Sequence, residues 1–287
     1  MDIKKGKLII CSTPIGNLGD ITLRVIDVLK QVDLIAAEDT RRTRKLLNHF
    51  SINTPKLSYH KFNEKERTGQ IINRINMGMN IALVSDSGTP AISDPGQAII
   101  SACIDAGIKV EISPGVDSVV PALVLSGFDT SSFCFCGFAP RRNSDIEKWA
   151  LRLKDETRTM VVFESPKRII KLLDMLANDF PKRNIALIRE LTKVHEEVIR
   201  GSVEEVLGKI RSQEIRGEVV LVIEGEEDKI QGEKVREDDL MANLEKAGLE
   251  LKKLGFCAKE MAKILAWRYD ISRNLAYKIS ISVSGRK

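Results

Sequence analysis

The run Ala82-Leu-Val-Ser-Asp-Ser-Gly-Thr-Pro-Ala-Ile-Ser-Asp-Pro-Gly96 constrains this chain more than any other segment. A short apolar stretch stops abruptly at two close, Gly/Pro-punctuated turns. The stretch reads as a buried strand and the turns as the loop at its carboxyl end. In α/β sheets ligands bind at that edge. Small residues there let a ligand approach the backbone, and the exposed N–H groups can grip it. The segment therefore marks a ligand site on a sheet edge.

The surrounding pattern supplies the sheet. Strands are expected at Leu8–Thr13, Asp33–Ala37, Ile81–Val84 and Lys109–Ile112. Between them, helices are expected after Thr22 (with Leu23, Ile26 and Leu29 on one face), through the basic stretch ending near Phe50, at Ile71–Met77 and at Gln97–Ala106. This alternation predicts a mostly parallel sheet covered on both sides. Ser118 is expected to cap an apolar helix, Val119–Leu125. Gly127-Phe-Asp-Thr-Ser131 reads as the break into a second unit. That unit has strands at Phe133–Gly137, Thr159–Phe163, Asn184–Ile188 and Glu218–Ile223, with a further one at His195–Arg200 that makes the sheet mixed. Its helices lie around Ile146–Leu153, Arg168–Leu176 and Val203–Ile210. The charged, apolar-poor stretch Glu224–Asp239 reads as a linker. Beyond it Leu240–Leu254, Ala258–Arg268 and Ser272–Ser280 repeat apolar residues at helical spacing, either as a helix-turn-helix-like module or as a plain helical cap.

A chain of 287 residues exceeds what one core usually organises. The expected domains are 1–117 (α/β), 118–228 (α/β) and 236–287 (helical). No apolar run approaches the roughly 20 residues of a membrane span, and Leu8-Ile-Ile-Cys11 is too short for a signal peptide. The expectation is a cytoplasmic protein with no membrane partner. The five cysteines are scattered and, with three histidines, lack metal-ligand spacing, so reduced, buried thiols and no metal are expected. The net charge of +5 is mild, but cations cluster at Arg41, Arg42, Arg44 and Lys45, at Arg141 and Arg142, at Lys167 and Arg168, and at Lys252 and Lys253; any one cluster reads first as a solvated face, and several after strand ends add weight to an anionic substrate.

Three Gly/Pro-rich loops follow strands: Thr13–Asp20, Asp86–Gly96 and Pro114–Ser118. None is a P-loop or a dinucleotide fingerprint, and no Ser-His-Asp arrangement is suggested. What remains is a cradle made largely of backbone, suited to a nucleoside-containing cofactor.

The motifs Thr13-Pro-Ile-Gly-Asn-Leu-Gly-Asp20, Ala37-Glu-Asp-Thr-Arg41, Ser85–Gly96, Pro114-Gly115, Phe163-Glu-Ser-Pro166, Arg189–Glu197 and Gly217–Glu224 occur in one order. In that order the chain resembles the ribosomal RNA small subunit methyltransferase I family, of the tetrapyrrole-methylase-like class, from about Lys7 to Gly225 and more weakly beyond. It departs from the family pattern at Arg42, Ser87, Ala91 and Asp117. The resemblance implies two α/β domains of the tetrapyrrole methylase type with a cofactor cleft between them, plus a small C-terminal helical module. It implies S-adenosylmethionine as cofactor and 2′-O-methylation of a cytidine ribose in the decoding region of 16S rRNA. The expected partner is that RNA within the 30S subunit, with the protein a homodimer.

By position, Thr89, Pro90, Ala91, Ile92, Ser118 and Val119 match cofactor-contacting segments. Pro14, Ile15, Phe163, Leu191, Gly217 and Glu218 match further cleft positions. Because a protonated ribose hydroxyl is a poor nucleophile, Glu38, Asp39, Glu190 and Lys193 are candidates for a base or orienting group, with Asp20 beside them. Arg41, Arg42, Arg44, Arg141, Arg142, Lys167, Arg168 and Arg189 are candidate phosphate contacts. Two alternatives are a methyltransferase acting on a tetrapyrrole or related small molecule, and a non-enzymatic nucleic-acid-binding protein.

Overall fold

Alternation of strand and helix closes into two five-stranded sheets. A computed structural model describes residues 5–226, 237–253, 255–269 and 271–285. The first sheet comprises β1 (Lys7–Cys11), β2 (Leu34–Ala37), β3 (Lys56–Ser58), β4 (Ile81–Val84) and β5 (Lys109–Ser113). Every pairing is parallel, in the order β3-β2-β4-β1-β5. The expected run to Thr13 ends at Cys11. Thr13 instead makes an isolated antiparallel bridge to Gly88. β3 was absent from the sequence reading, because three residues carry no period.

Alternate residues of these strands serve two cores, as both faces of a parallel sheet must be covered. Leu8, Ile10, Ala36, Ile81 and Leu83 pack with helices α3 (Glu64–Asn76) and α4 (Gln97–Asp105). Ile9, Cys11, Ile35, Ala37 and Val84 pack with α1 (Leu23–Gln31) and α2 (Thr40–His49). Thr22 caps α1 through its hydroxyl, which accepts from Val25 N at 3.2 Å. Asp39 caps α2, accepting from Arg41 N at 2.8 Å.

Helix α5 (Val119–Ser126) leads from the first sheet, which ends at Ser113, to the second. This sheet comprises β6 (Phe133–Phe138), β7 (Thr159–Glu164), β8 (Asn184–Arg189), β9 (Glu197–Ser202) and β10 (Val219–Ile223), in the order β6-β7-β10-β8-β9. Only β6 with β7 is parallel among its pairings. Met160, Val162, Ile185, Leu187 and Leu221 face helices α6 (Asn143–Lys154), α7 (Ile169–Asp179) and α8 (Val203–Ile210). Val161, Ala186, Ile188, Val220 and Val222 face the other way, onto α5. α8 starts at a full capping box between Ser202 and Glu205.

Ser118 does not cap α5. Asp117 does, its Oδ1 accepting from Val119 N at 2.7 Å and Val120 N at 2.9 Å. A carboxylate both satisfies two orphan donors and complements the positive helix end.

The two sheets belong to one compact unit, residues 1–225; residues 226–287 form another. The second unit contains α9 (Glu237–Lys253), α10 (Ala258–Arg268) and α11 (Arg273–Gly285). α9 begins inside the expected linker, most of whose remainder lies outside the described residues. Its core is Leu244, Leu265, Ala276, Ile279 and Val283. Lys252 Nζ donates to Val283 O (3.0 Å) and Ser284 O (3.3 Å), satisfying carbonyls at the end of α11. Cys11 and Cys103 are buried and Cys134 and Cys136 partly so, but Cys257 is exposed, contrary to the expectation of buried thiols, because it stands in the turn before α10. No described helix is long and apolar enough to cross a membrane.

Candidate active site

The carboxyl ends of the parallel strands hold the turns that the sequence marked. They face the inner surface of the second sheet across a cavity of about 350 Å³. The Ser87–Asp94 loop after β4 forms one side. Ile15, from the loop after β1, and Asp117, Ser118 and Val119, at the start of α5, extend it. Phe163–Pro166, Ile188, Leu191 and Glu218–Val220 form the opposite side. Half of the lining residues are aliphatic, aromatic or proline, and most of the rest carry hydroxyls or carboxylates that can orient a small molecule. Phe163 stands edge-on to Phe135 and Phe138, with ring centroids 4.8 and 5.6 Å apart.

The β4 loop is held hard. Thr13 and Gly88 exchange both backbone hydrogen bonds, at 2.8 and 2.9 Å. The hydroxyls of Ser12 and Thr89 are 2.8 Å apart. Glu64 Oε1 accepts from Gly96 N (3.1 Å) and from the buried Tyr59 hydroxyl (3.0 Å). These ties stabilise an uncommon backbone: Ala91 and Ser93 have φ of 71° and 65°. Left-handed conformations at non-glycine residues cost on the order of 1–3 kcal/mol and cluster at functional sites.

That loop delivers Asp94, which the sequence reading did not select. It lines the cavity, and burial, reinforced by the negative charges of Glu38 and Asp86 against a Ser85 hydrogen bond, pushes its carboxyl up to about 7. In sequence its only signal was membership of the Ser85–Gly96 motif. Glu38 and Asp39 do not line the cavity. Burial pushes Glu38 up, opposed by the Asp86 amide, from which Glu38 Oε2 accepts at 3.3 Å. Asp39 is held well below the usual carboxylate range by Arg41, whose Nη2 is 2.8 Å away.

Across the cavity the chain uses Glu190 and Lys193 for support. Glu190 Oε1 accepts from Lys193 Nζ (2.9 Å) and Glu218 N (2.8 Å), while Glu190 N donates to Glu218 O (2.9 Å). The Lys193 ammonium lowers the Glu190 carboxyl, making it a weaker base. Partial burial opposes the charge on Lys193, but its bonds to Glu190 and Glu218 raise it overall. This clamp holds Leu191 and Glu218 at the cavity wall, and neither Glu190 nor Lys193 lines it. Gly217 has φ of 81°, and a Cβ there would overlap the Glu190 carboxylate. Only glycine admits the clamp. Gly217 thus acts beside the cavity, not within its lining.

Of the expected cofactor residues, Ile15, Thr89, Ile92, Ser118, Val119, Phe163, Leu191 and Glu218 line the cavity. Pro90 and Ala91 sit in the loop behind them. Pro14 instead faces a second cavity of about 180 Å³, together with Arg42. Among the expected phosphate contacts, Arg41, Arg42, Arg44, Arg141, Arg142 and Lys167 are exposed. Arg168 is turned inward: Nη2 donates to Ala139 O and Pro140 O and lies 2.8 Å from the buried Glu164 carboxylate. Arg189 pairs with Glu197 at 2.6 Å. Both guanidiniums are thus engaged by carboxylates of the second sheet. Asp20 closes a 3-10 turn at Leu18–Asp20.

A side-chain-lined cavity between two sheets of this topology is the architecture of a methylase class. The chain belongs to the tetrapyrrole (corrin/porphyrin) methylase family, whose model matches residues 7–207. Within that class it is a member of the ribosomal RNA small subunit methyltransferase I family. It is 40% identical over 277 residues to the protein of that name from Halalkalibacterium halodurans, covering 96% of this chain and 94% of the relative. The Escherichia coli O157:H7 relative of the same name is 38% identical over 287 residues, covering 99% and 98%. Among solved structures, the fold is like that of a uroporphyrin-III-C-methyltransferase from Thermus thermophilus, with TM-score 0.56, 20% identity, and 77% of this chain and 94% of that one covered. A cobalt precorrin-4 methyltransferase of cobalamin biosynthesis gives TM-score 0.58 at 19% identity, covering 76% and 94%. The cofactor is S-adenosylmethionine. The cavity suits it: aliphatic and aromatic walls for the adenine and the methylene groups beside the sulfonium, and hydroxyl and carboxylate groups for ribose and amino-acid ends.

Proposed function

We propose that this protein methylates the ribose 2′-hydroxyl of a cytidine in the decoding region of 16S ribosomal RNA, using assembled 30S subunits in the cytoplasm. The observation that carries the reading is similarity along nearly the whole length to proteins named as ribosomal RNA small subunit methyltransferase I. When bound, the sulfonium cofactor supplies an already activated methyl group. The chain then has two tasks. The tied β4 loop and the Glu190–Lys193 clamp fix the two walls, so that the acceptor oxygen is positioned in line. Asp94 accepts the proton that the hydroxyl loses, for which a carboxyl titrating near neutrality is well matched. Exposed Arg41, Arg42 and Arg44 hold RNA phosphates.

The test incubates the protein with labelled S-adenosylmethionine and, separately, unmethylated 30S subunits, free 16S RNA and a tetrapyrrole precursor. Label on a cytidine ribose of the subunit is expected. Label on the tetrapyrrole alone, or on a base instead of a ribose, would overturn the reading.

A further inference from the structure

Two loops run past the larger cavity and line a second one without a break. Thr13 and Pro14 line the smaller cavity and Ile15 the larger; Ser85 and Asp86 line the smaller and Ser87 to Thr89 the larger. The partition between them is the Thr13–Gly88 bridge. At about 180 Å³, the smaller space is too small for a whole nucleoside cofactor and suits one ring or one sugar. Its wall is apolar at Pro14, Leu18 and Leu46. Its rim carries Arg42 and Lys45, one turn apart on α2. Arg42 makes a loose 3.5 Å pair with Asp86, and Lys45 has no ion-pair partner among the described residues. An apolar wall with two cations at its mouth is the chemistry of a nucleotide: a ring to bury and a phosphate to neutralise.

We propose that the smaller cavity seats one nucleotide of the acceptor RNA, its ring against Pro14, Leu18 and Leu46 and its phosphate on Arg42 and Lys45. The proposal rests on the RNA reading above and specifies where that RNA enters. Asp86 lies at the same place and could accept from an exocyclic amino group, which favours cytosine or adenine over uracil.

The test uses the full chain loaded with S-adenosylhomocysteine and titrates cytidine 5′-monophosphate, cytidine and inorganic phosphate by calorimetry. The monophosphate is expected to bind at least tenfold more tightly than either part. Leu18→Trp adds a bulky ring to the cavity wall from a position 41% exposed, outside the buried core. This variant should lose nucleotide binding while its affinity for S-adenosylhomocysteine stays within twofold. Lys45→Glu should raise the KM for 30S subunits at least tenfold. The same charge change at Lys30, an exposed residue of α1 outside the cavity and outside the basic segments, should raise it less than threefold. Equal effects at 30 and 45 would mean a diffuse field and overturn the site. So would phosphate binding as tightly as the nucleotide, or undiminished nucleotide binding by Leu18→Trp. These titrations need no methyl transfer. Nucleotide binding without transfer to any RNA would sink the proposed function alone. Transfer with an unaffected Leu18→Trp would sink this site alone.

Discussion

The two sheets of the first unit meet the same cavity in different ways. The parallel sheet touches it only through loops at its carboxyl edge. The mostly antiparallel sheet presents a flat face, through Phe163, Ile188 and Val220. The difference follows from strand direction. Parallel strands all end on one side, so their loops converge and can carry polar, strained, reactive groups. Antiparallel strands end alternately, and what they offer one ligand is side chains at period two. On the function proposed above, chemistry comes from the first sheet and fit from the second.

The sharpest way to break this division is Asp94→Asn. If the loop side carries the chemistry, kcat/KM falls about 10²- to 10⁴-fold with cofactor affinity retained. The rise of activity through about pH 7 should also disappear from the rate profile. An unchanged profile would remove Asp94 as the base. The same variant sharpens the stability side. A carboxyl raised by burial keeps its proton in the fold but loses it earlier when unfolded. The native state therefore loses stability as pH rises from about 4 towards 7. Asp94→Asn should melt higher than wild type at pH 8 and the same at pH 3.

On the opposite wall, Gly217→Ala should act through fit. The strained φ and the clash with Glu190 cost about 2–3 kcal/mol. Calorimetry should show a lower Tm and weaker cofactor binding, with the pH midpoint of turnover unmoved. A shifted midpoint would give the wall a role in proton transfer.

Smaller again is Glu190→Ala, which unties the clamp and loses charged hydrogen bonds worth about 1–3 kcal/mol. Because Lys193 lowers the Glu190 carboxyl, this support is present above its ordinary value and is lost as pH falls through the lowered one. The difference in Tm between variant and wild type should therefore vanish in strong acid. Single-turnover methyl transfer that stops altogether would restore Glu190 as a base.

Arg41→Ala should do least. Its side chain is 85% exposed and already paired with Asp39. Filter binding at several salt concentrations should show the slope for RNA reduced by about one, with cofactor binding unchanged. A cofactor effect would mean that the loop edge and α2 are coupled through Asp39.

Much of the framework was legible in sequence because it is local. Ile81–Val84, Val203–Ile210 and Ala258–Arg268 lie where periodicity placed them. The Thr22 cap needed only a hydroxyl three residues from an orphan N–H. β3 escaped because Lys56–Ser58 is too short to show a period and is a strand only by pairing with β2. Ser118 looked like a cap because hydroxyls favour that position, but Asp117 offered a charged acceptor for two donors at once. Arg168 and Arg189 looked like anion contacts because a cation's partner cannot be read from its neighbours. Glu164 is four residues away, but its burial belongs to the sheet.

The sequence by itself determined the elements, the parallel character of the first sheet, the loops that hold a ligand and the family. Each depends on residue order, local sterics or motif. Only tertiary structure decided which carboxyl is raised towards neutrality. The chain contains many carboxylates in polar loops, and their proton affinities depend on burial and on charges brought close from elsewhere. Asp94 is raised by burial and by Glu38, 56 residues earlier, and Glu190 is lowered by Lys193 within a clamp that also needs Glu218. Such distances exist only after the two sheets have closed on one cavity.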